Sequence, residues 1–319
     1  GADILRLWVV SQEYQADVRM SERVMNQLSE AYRKIRNTFR FGLSNLYDFD
    51  PARDAVRNEQ LEELDRWMLQ RTADLAQKCL DWYAAYDFHR VYHAIHDYCV
   101  TDLSAFYYDV LKDRLYTRAA RNPARRSAQT AVYEITSALV RLTAPILVFT
   151  AEEAWKYLPK KSGEPASVHV AMFPTKAGLQ QDLDEQTGRN WEWLFREARS
   201  VVLAALEQAR NSKKISGALE AKVAINGETP EAREILSRHA ADLRYLFIVS
   251  GAALSKDGLA DAFRLDGVKG LSVRVDRADG RKCERCWNYS PRVGENARYP
   301  TVCERCSEAL AEIEQAAAH

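Results

Sequence analysis

Residues 21–46 read SERVMNQLSEAYRKIRNTFRFGLSNL, and their spacing predicts one long helix. Ser21 is a residue type that caps helix N-termini, because its hydroxyl can accept a hydrogen bond from a free backbone N–H group. After it, apolar side chains recur at steps of three and four residues, which places them on one helix face. These apolar positions are Val24, Leu28, Tyr32, Ile35, Phe39, Leu43 and Leu46.

Three further stretches show the same helical spacing of apolar residues. They cover residues 61–82, 88–110 and 132–149. Pro145 should interrupt the last stretch, because proline lacks the backbone N–H donor that a helix interior needs. Four long amphipathic helices with short connections can bury their apolar faces only against one another. Residues from about 21 to 158 are therefore predicted to form a helical bundle.

The pattern changes after the bundle. A short extended stretch at 167–173 is expected between loops at 160–165 and 174–178, and a helix follows over 185–211. Alternating apolar residues then predict strands at 219–225, 244–249 and 271–275, with a helix at 230–239. The fold class is therefore mainly α, with a helical bundle followed by a small α+β domain and a cysteine-rich tail.

We expect four parts along the chain. They are a segment 1–20 with a short helix at 3–10, the bundle at 21–178, the α+β domain at 179–277, and the tail at 278–319 with a closing helix at 307–317. The first residue is Gly1 rather than Met, so we expect a piece cut from a longer protein.

Composition limits the possible functions only in part. Among the 319 residues, Lys+Arg and Asp+Glu each number 45, so global charge favours neither an anionic nor a cationic partner. No run of about 20 apolar residues suggests a membrane span. Four of the six cysteines occur in closely spaced pairs, which is atypical of a disulfide framework and predicts a reduced, cytoplasmic setting.

The paired cysteines are the strongest motif in the chain. Cys283, Cys286, Cys303 and Cys306 form the pattern Cys-x2-Cys-x16-Cys-x2-Cys, which is typical of a structural zinc site. Four protein thiolates leave no position for a catalytic water, so one structural Zn²⁺ is predicted. The alternative is a pair of redox dithiols.

Two groups of cationic and planar side chains suggest RNA contacts. Arg285 and Trp287 lie between the cysteines, where an unstacked base could meet a ring and a charge. Alternatively, Trp287 fills the small core of the zinc segment. The second group is spaced along one face of the first bundle helix, as phosphate contacts could be, although a solvated face with local ion pairs is an open alternative. It consists of Arg33, Arg36, Asn37 and Arg40.

Motifs of enzyme catalysis are weak. The spacing of His89, His93 and His96 fits one helix face, but no fourth metal ligand is specified, so polar contacts on a bundle helix are favoured over a metal-dependent catalytic site. Cys79 and Cys99 fall on apolar stripes and are predicted to be core thiols. We find no glycine-rich phosphate loop and no nucleophile elbow, and we predict no catalytic residue.

Several stretches resemble class I aminoacyl-tRNA synthetases. Residues 1–8 (GADILRLW) resemble the segment after their KMSKS loop, and residues 32–41 (YRKIRNTFRF) resemble the first helix of their anticodon-binding bundle. The later bundle helices are matched by residues 103–116 and 144–153. The tail, with KCERCW followed by CERC, resembles the bacterial isoleucyl members of the family. Residues 215–221 (ISGALEA) depart from the family pattern by a shifted glycine.

The resemblance implies a function beyond what the spacing shows. The complete enzyme would activate isoleucine with ATP and charge the tRNA for isoleucine, but its catalytic and editing domains are missing here. This chain would then be a catalytically inactive, monomeric tRNA-binding part, with segment 1–20 ending the stem-contact region. The competing hypothesis, from another class, is a helical protein-interaction module with a structural zinc knob.

Overall fold

The computed structural model describes residues 1–13 and 21–317, which fall into two units. The first unit contains Gly1–Leu111 and Ala120–Leu183, and the second contains Lys112–Ala119 and Asp184–His319. Part of the expected segment 1–20, residues 14–20, lies outside the described residues, as do residues 318 and 319 of the expected tail. The division into four parts stays a prediction.

The first bundle helix begins at the predicted cap. The Ser21 side chain accepts a hydrogen bond of 3.3 Å from the Val24 N–H group, and helix α2 follows over Glu22–Ser44. Its buried face carries Leu28, Ile35 and Phe39, which are at most 5% exposed. The apolar face predicted from the spacing is therefore buried, and polar side chains occupy the opposite face.

The remaining helices of this part of the chain include α6, most of whose residues are buried. Their bounds are α1 Ala2–Ser11, α3 Glu63–Ala84, α4 Phe88–Asp97, α5 Tyr108–Thr117, α6 Pro123–Thr143 and α7 Val148–Tyr157. Helices α2, α3 and α7 pack on α6. The predicted break at Pro145 is confirmed, because it lies between the end of α6 and the start of α7. The predicted helical bundle is confirmed.

The third predicted helix is not regular throughout. Between α4 and α5 the chain forms a π-helix over Tyr98–Tyr107. The Ser104 hydroxyl donates a 2.7 Å hydrogen bond to the carbonyl oxygen of Cys99, five residues earlier, which suits the wider helix. Apolar spacing alone predicts a helix here but not its change of pitch.

The second unit combines helices with a small sheet. Strand β1 (Ala221–Gly227) lies between β2 (Gly251–Leu254), which is parallel to it, and β3 (Leu271–Arg277), which is antiparallel. The register pairs Lys222 with Gly251 and with Asp276. The remaining elements are α9 Glu185–Trp193, a π-helix Leu194–Ala198, α10 Arg199–Asn211, α11 Pro230–Arg238, α12 Leu243–Leu246, β4 Arg281–Lys282, β5 Tyr289–Ser290 and α13 Glu304–Ala317.

The strand predicted at 244–249 is wrong. Leu243, Leu246 and Phe247 are buried at helical spacing, so this stretch forms the turn α12. Ile248 then adopts a positive φ of 56°, and the real strand, β2, begins three residues later.

Two local predictions after the bundle are also wrong. The stretch 167–173 contains a 3₁₀ turn, Val168–Val170, because the Ser167 hydroxyl caps it by accepting from the His169 N–H group at 3.3 Å. The loop expected at 174–178 contains a short helix, α8 (Lys176–Leu179), which is capped by Thr175. The closing helix, predicted from residue 307, begins at Glu304.

Helix α2 packs tightly against α6 at Gly42. A Cβ added at Gly42 would overlap the Thr136 hydroxyl and lie 3.3 Å from the Thr136 Cβ and Cγ2 atoms. We therefore expect Gly42→Ala to lower the free energy of unfolding by about 1–3 kcal/mol, measured by urea unfolding. The matched control is Gly188→Ala on α9, where a Cβ meets nothing within 4 Å. This control should stabilise by about 0.5–1 kcal/mol. Equal stability of Gly42→Ala and the unsubstituted chain would contradict the close packing.

Candidate metal centre and nucleic-acid interface

The four cysteines of the tail lie together. Their sulfur atoms are all within 4.8 Å of one another, and the sulfurs of Cys286 and Cys303 are 3.7 Å apart. In a tetrahedral site with zinc–sulfur bonds of about 2.3 Å, two sulfurs are separated by about 3.8 Å. The backbone N–H group of Cys303 also donates to the Cys283 sulfur at 3.3 Å. This donor set fits a closed, four-sulfur zinc site.

The sulfurs do not carry equal negative charge without a cation. The pKa of Cys286 is lowered because the Cys303 and Cys306 thiols donate to its sulfur. The pKa of Cys306 is raised because its proton is held by Cys286. One thiolate therefore suppresses ionisation of its neighbours, and a divalent cation is needed for all the sulfurs to lose their protons together.

Valine side chains fill the small core beside the sulfurs. Val293 and Val302 are buried against the cysteines, and Tyr299 and Leu310 pack on the same cluster. Trp287 is 60% exposed, with the Lys282 ammonium 5.4 Å from its ring centroid. The hypothesis that Trp287 fills the zinc segment's core is therefore wrong.

The two arginines that each lie inside a cysteine pair face different surroundings. Arg285 is half-buried, and its Nη1 atom makes no hydrogen bond with a described residue. Arg305 is 11% exposed and pairs with Asp113. Arg305 is therefore held by a carboxylate, whereas the Nη1 atom of Arg285 is buried without a partner among the described residues.

All four predicted residues on α2 are exposed, namely Arg33, Arg36, Asn37 and Arg40. Arg33 forms an ion pair of 3.0 Å with Glu30. Arg36 and Arg40 form no ion pair with a described residue, and they line a cavity of about 340 Å³. The other lining residues are Phe39, Leu43, Ser44, Thr150, Glu153, Ala154 and Tyr157. The α2 residues belong to the first unit and the cysteines to the second.

The histidines of α4 lie in polar and aromatic surroundings. The ring of Tyr92 is 4.8 Å from that of His93 and 6.0 Å from that of His96, and the Nδ1 atom of His96 is 3.3 Å from Asp97. His89 is half-buried on the same helix. Among residues 1–13 and 21–317, the potential metal-binding group consists of the four cysteines and contains no histidine.

Cys79 and Cys99 are core thiols, as predicted. Both are fully buried, and burial raises the pKa of each to about 12. They therefore stay protonated and protected under conditions in which an exposed thiol would react.

A comparison with known families agrees with this arrangement. The sequence model described as "Anticodon-binding domain of tRNA ligase" matches residues 65–225, which is half of the chain. The chain belongs to this family. A second model, described as a zinc finger found in FPG and IleRS, matches residues 280–309 and so includes the four cysteines.

Curated relatives carry the name isoleucine–tRNA ligase. The chain is 46% identical to the protein of Syntrophotalea carbinolica over 316 residues, covering 97% of this chain and 33% of that protein. It is 46% identical to the protein of Symbiobacterium thermophilum, covering 96% and 33%, and 47% identical to that of Desulforamulus reducens, covering 98% and 33%. The chain therefore spans about a third of the length of these relatives.

Two features of the site are not evident from sequence reasoning. Tyr157 and Glu153 join Arg36 and Arg40 in one cavity only because α2 and α7 are neighbours. The aromatic and charged character of α7 is visible in the sequence, but its orientation toward α2 is not. The inward direction of Arg305 depends on Asp113, which is 192 residues away in the chain.

The contrast between the tail and core cysteines can be tested by thiol titration at pH 8. With Zn²⁺ bound, we expect none of the six cysteines to react quickly. Removal of the metal should expose the four clustered thiols, while Cys79 and Cys99 react only in denaturant because they are buried. Cys286→Ser is the control and should lose one fast thiol. Fast reaction of all the cysteines before chelation would contradict the metal site.

Proposed function

We propose that this chain is the tRNA-binding part of an isoleucine–tRNA ligase and that its RNA partner is the tRNA for isoleucine. The observation that carries the proposal is Trp287, an exposed ring on the cysteine cluster of a chain in the anticodon-binding family. The names of the relatives support the choice of isoleucine. ATP-dependent activation of isoleucine and the charging of tRNA belong to other parts of such a ligase, and this chain alone is catalytically inactive.

One structural Zn²⁺ holds the tail in shape. Cys283, Cys286, Cys303 and Cys306 supply thiolates, and the ion supplies the charge that lets them lie close together. Because all four positions are protein sulfurs, the ion activates no water. The metal's role is to give a short segment a fixed surface.

Trp287 and Arg285 form the contact with the anticodon loop. An unstacked base gains about 1–3 kcal/mol by stacking on an aromatic ring, and the exposed face of Trp287 offers that platform. Arg285 lies two residues earlier in the same turn, and the positive charge of its guanidinium suits a phosphate or a base edge.

The exposed face of α2 binds the RNA backbone. Arg36 and Arg40 are four residues apart, so they lie on the same helix face, with Asn37 and Arg33 beside them. Their cavity of about 340 Å³ contains the exposed ring of Tyr157 and the Glu153 carboxylate. It lies at the lower end of the usual range of ligand cavities, which suits a single nucleotide with its phosphate at the arginines.

The same proposal assigns the parts of the chain. Segment 1–20 ends the stem-contact region, 21–178 is the anticodon-binding bundle, 179–277 is a junction domain and 278–319 is the zinc module. The described residues contain no helix with the length and apolarity of a membrane span. We place the protein in the cytoplasm as a monomer.

The first test compares binding of the full chain to isoleucine tRNA and to the same tRNA with a replaced anticodon, at one salt concentration. We expect tighter binding of the native anticodon. Trp287→Ala should weaken this binding about 5- to 150-fold while zinc stays bound, because one base loses its stacking partner. Leu203→Ala, which removes another exposed apolar side chain, is the control. No binding to either tRNA would favour the protein-interaction module.

The second test measures the salt dependence of tRNA binding. Arg36→Ala and Arg40→Ala should each lower the affinity and reduce the slope of log K against log salt by about 0.7–0.9, because one phosphate contact is lost. Arg33→Ala should have a smaller effect, since Arg33 is already paired with Glu30. Arg189→Ala, which breaks a surface ion pair with Glu185 on α9, is the control. An unchanged slope in both α2 variants would favour the solvated-face interpretation.

A further inference from the structure

Arg305 connects the cysteine cluster to a distant part of the second unit. It lies between Cys303 and Cys306, and its guanidinium donates to both carboxylate oxygens of Asp113, with a distance of 2.6 Å from Nη2 to Oδ1. Asp113 is on α5, within the stretch Lys112–Ala119. The two side chains are only 11% and 17% exposed, so this is a largely buried, two-point ion pair.

Tyr245 also contacts the guanidinium of Arg305. The guanidinium carbon is 5.4 Å from the Tyr245 ring centroid, and Nη1 is 3.4 Å from the Tyr245 hydroxyl. An arginine side chain is always positively charged in a protein, and here the carboxylate of Asp113 balances that charge. Arg305 therefore stays charged and is directed by a carboxylate on one side and a ring on another.

A second attachment holds the other half of the tail. The Ser250 hydroxyl accepts a 2.7 Å hydrogen bond from the Tyr289 N–H group and donates to the Leu219 carbonyl oxygen at 2.5 Å. The tail is thus attached near Tyr289, after the first cysteine pair, and at Arg305, within the second pair. Because these two attachments are separated, they restrain rotation of the tail relative to the rest of the second unit. A single attachment would permit such a rotation.

The turn that carries Trp287 is rigidly linked to the cluster. The Trp287 N–H group donates to the Cys283 carbonyl oxygen at 2.9 Å, and the Cys283 N–H group donates to the Asn288 carbonyl oxygen at 2.8 Å. A rotation of the cysteine cluster therefore moves the ring of Trp287 with it. The orientation of this ring therefore depends on the contacts that hold the cysteine cluster, at Tyr289 and at Arg305.

We propose that Asp113 and Arg305 are positioning residues for RNA binding, which orient the cysteine cluster so that Trp287 meets its base. This inference rests on the proposed function of Trp287. The pair itself touches no RNA. Because attraction within a buried ion pair is largely offset by the loss of hydration, the pair serves orientation more than net stability.

The test is Asp113→Asn in the full chain, with zinc content and tRNA affinity measured together. We expect bound zinc to be retained, amide hydrogen exchange across residues 283–306 to become faster, and tRNA binding to weaken about five-fold. In a Trp287→Ala background, the same substitution should cause no further loss of affinity. Glu228→Gln, which breaks the more exposed pair with Arg264 in the same unit, is the control.

Three results would overturn the proposal. They are loss of zinc in Asp113→Asn, unchanged hydrogen exchange, or a loss of tRNA affinity that adds fully to that of Trp287→Ala. Arg305→Lys keeps the positive charge but loses the two-point hydrogen bonding to Asp113. This variant should show smaller increases in hydrogen exchange and a smaller loss of tRNA affinity, and it replaces Asp113→Asn in the test if that variant does not fold. Failure of the proposed function is distinguishable, because Trp287→Ala alone would then leave tRNA affinity unchanged while hydrogen exchange still reports on the pair.

Discussion

The four cysteine sulfurs of the tail can remain deprotonated at such short distances only if a cation neutralises them. Within 4.8 Å of one another, thiolates repel, and the opposite pKa shifts of Cys286 and Cys306 show one thiolate suppressing the next. A bound Zn²⁺ removes this conflict and supplies folding energy that two small valines, Val293 and Val302, cannot supply alone. The metal thus allows the segment to keep its largest ring, Trp287, on the surface.

In the bundle, core packing rather than a metal ion determines which side chains lie on the surface. Helices α2, α3 and α7 cover α6, and the apolar side of α2 is buried against it. Burial of Leu28, Ile35 and Phe39 sets the rotation of α2 and leaves Arg36 and Arg40 outside. The position of these cations is therefore a consequence of core packing. A regular helix keeps them at a fixed separation, which suits a repeating phosphate backbone.

Much of this architecture could be predicted where the signal is local. Ser21 marks the start of α2, Pro145 marks the break before α7, and the cysteine spacing marks the metal site, because each depends on chemistry within a few residues. Predictions fail where two periodicities compete over a short range. Leu243, Leu246 and Phe247 follow helical spacing, yet the neighbouring residues also alternate, and this alternation wrongly predicts a strand. Contacts such as that between Asp113 and Arg305 carry no local signal at all.

Trp287 combines two unfavourable features that a purely structural role does not explain. A positive φ of 64° in a residue with a side chain costs about 1–2 kcal/mol, and an indole ring left 60% exposed forgoes most of its burial energy. The small core beside it is filled by other side chains, so the ring is not needed there. Strain and exposure at the same residue persist when the surroundings impose them, and they are typical of residues that contact a partner. Because a largely buried ion pair adds little net stability, Asp113 and Arg305 are better explained by the same requirement, which is a fixed direction for an exposed ring.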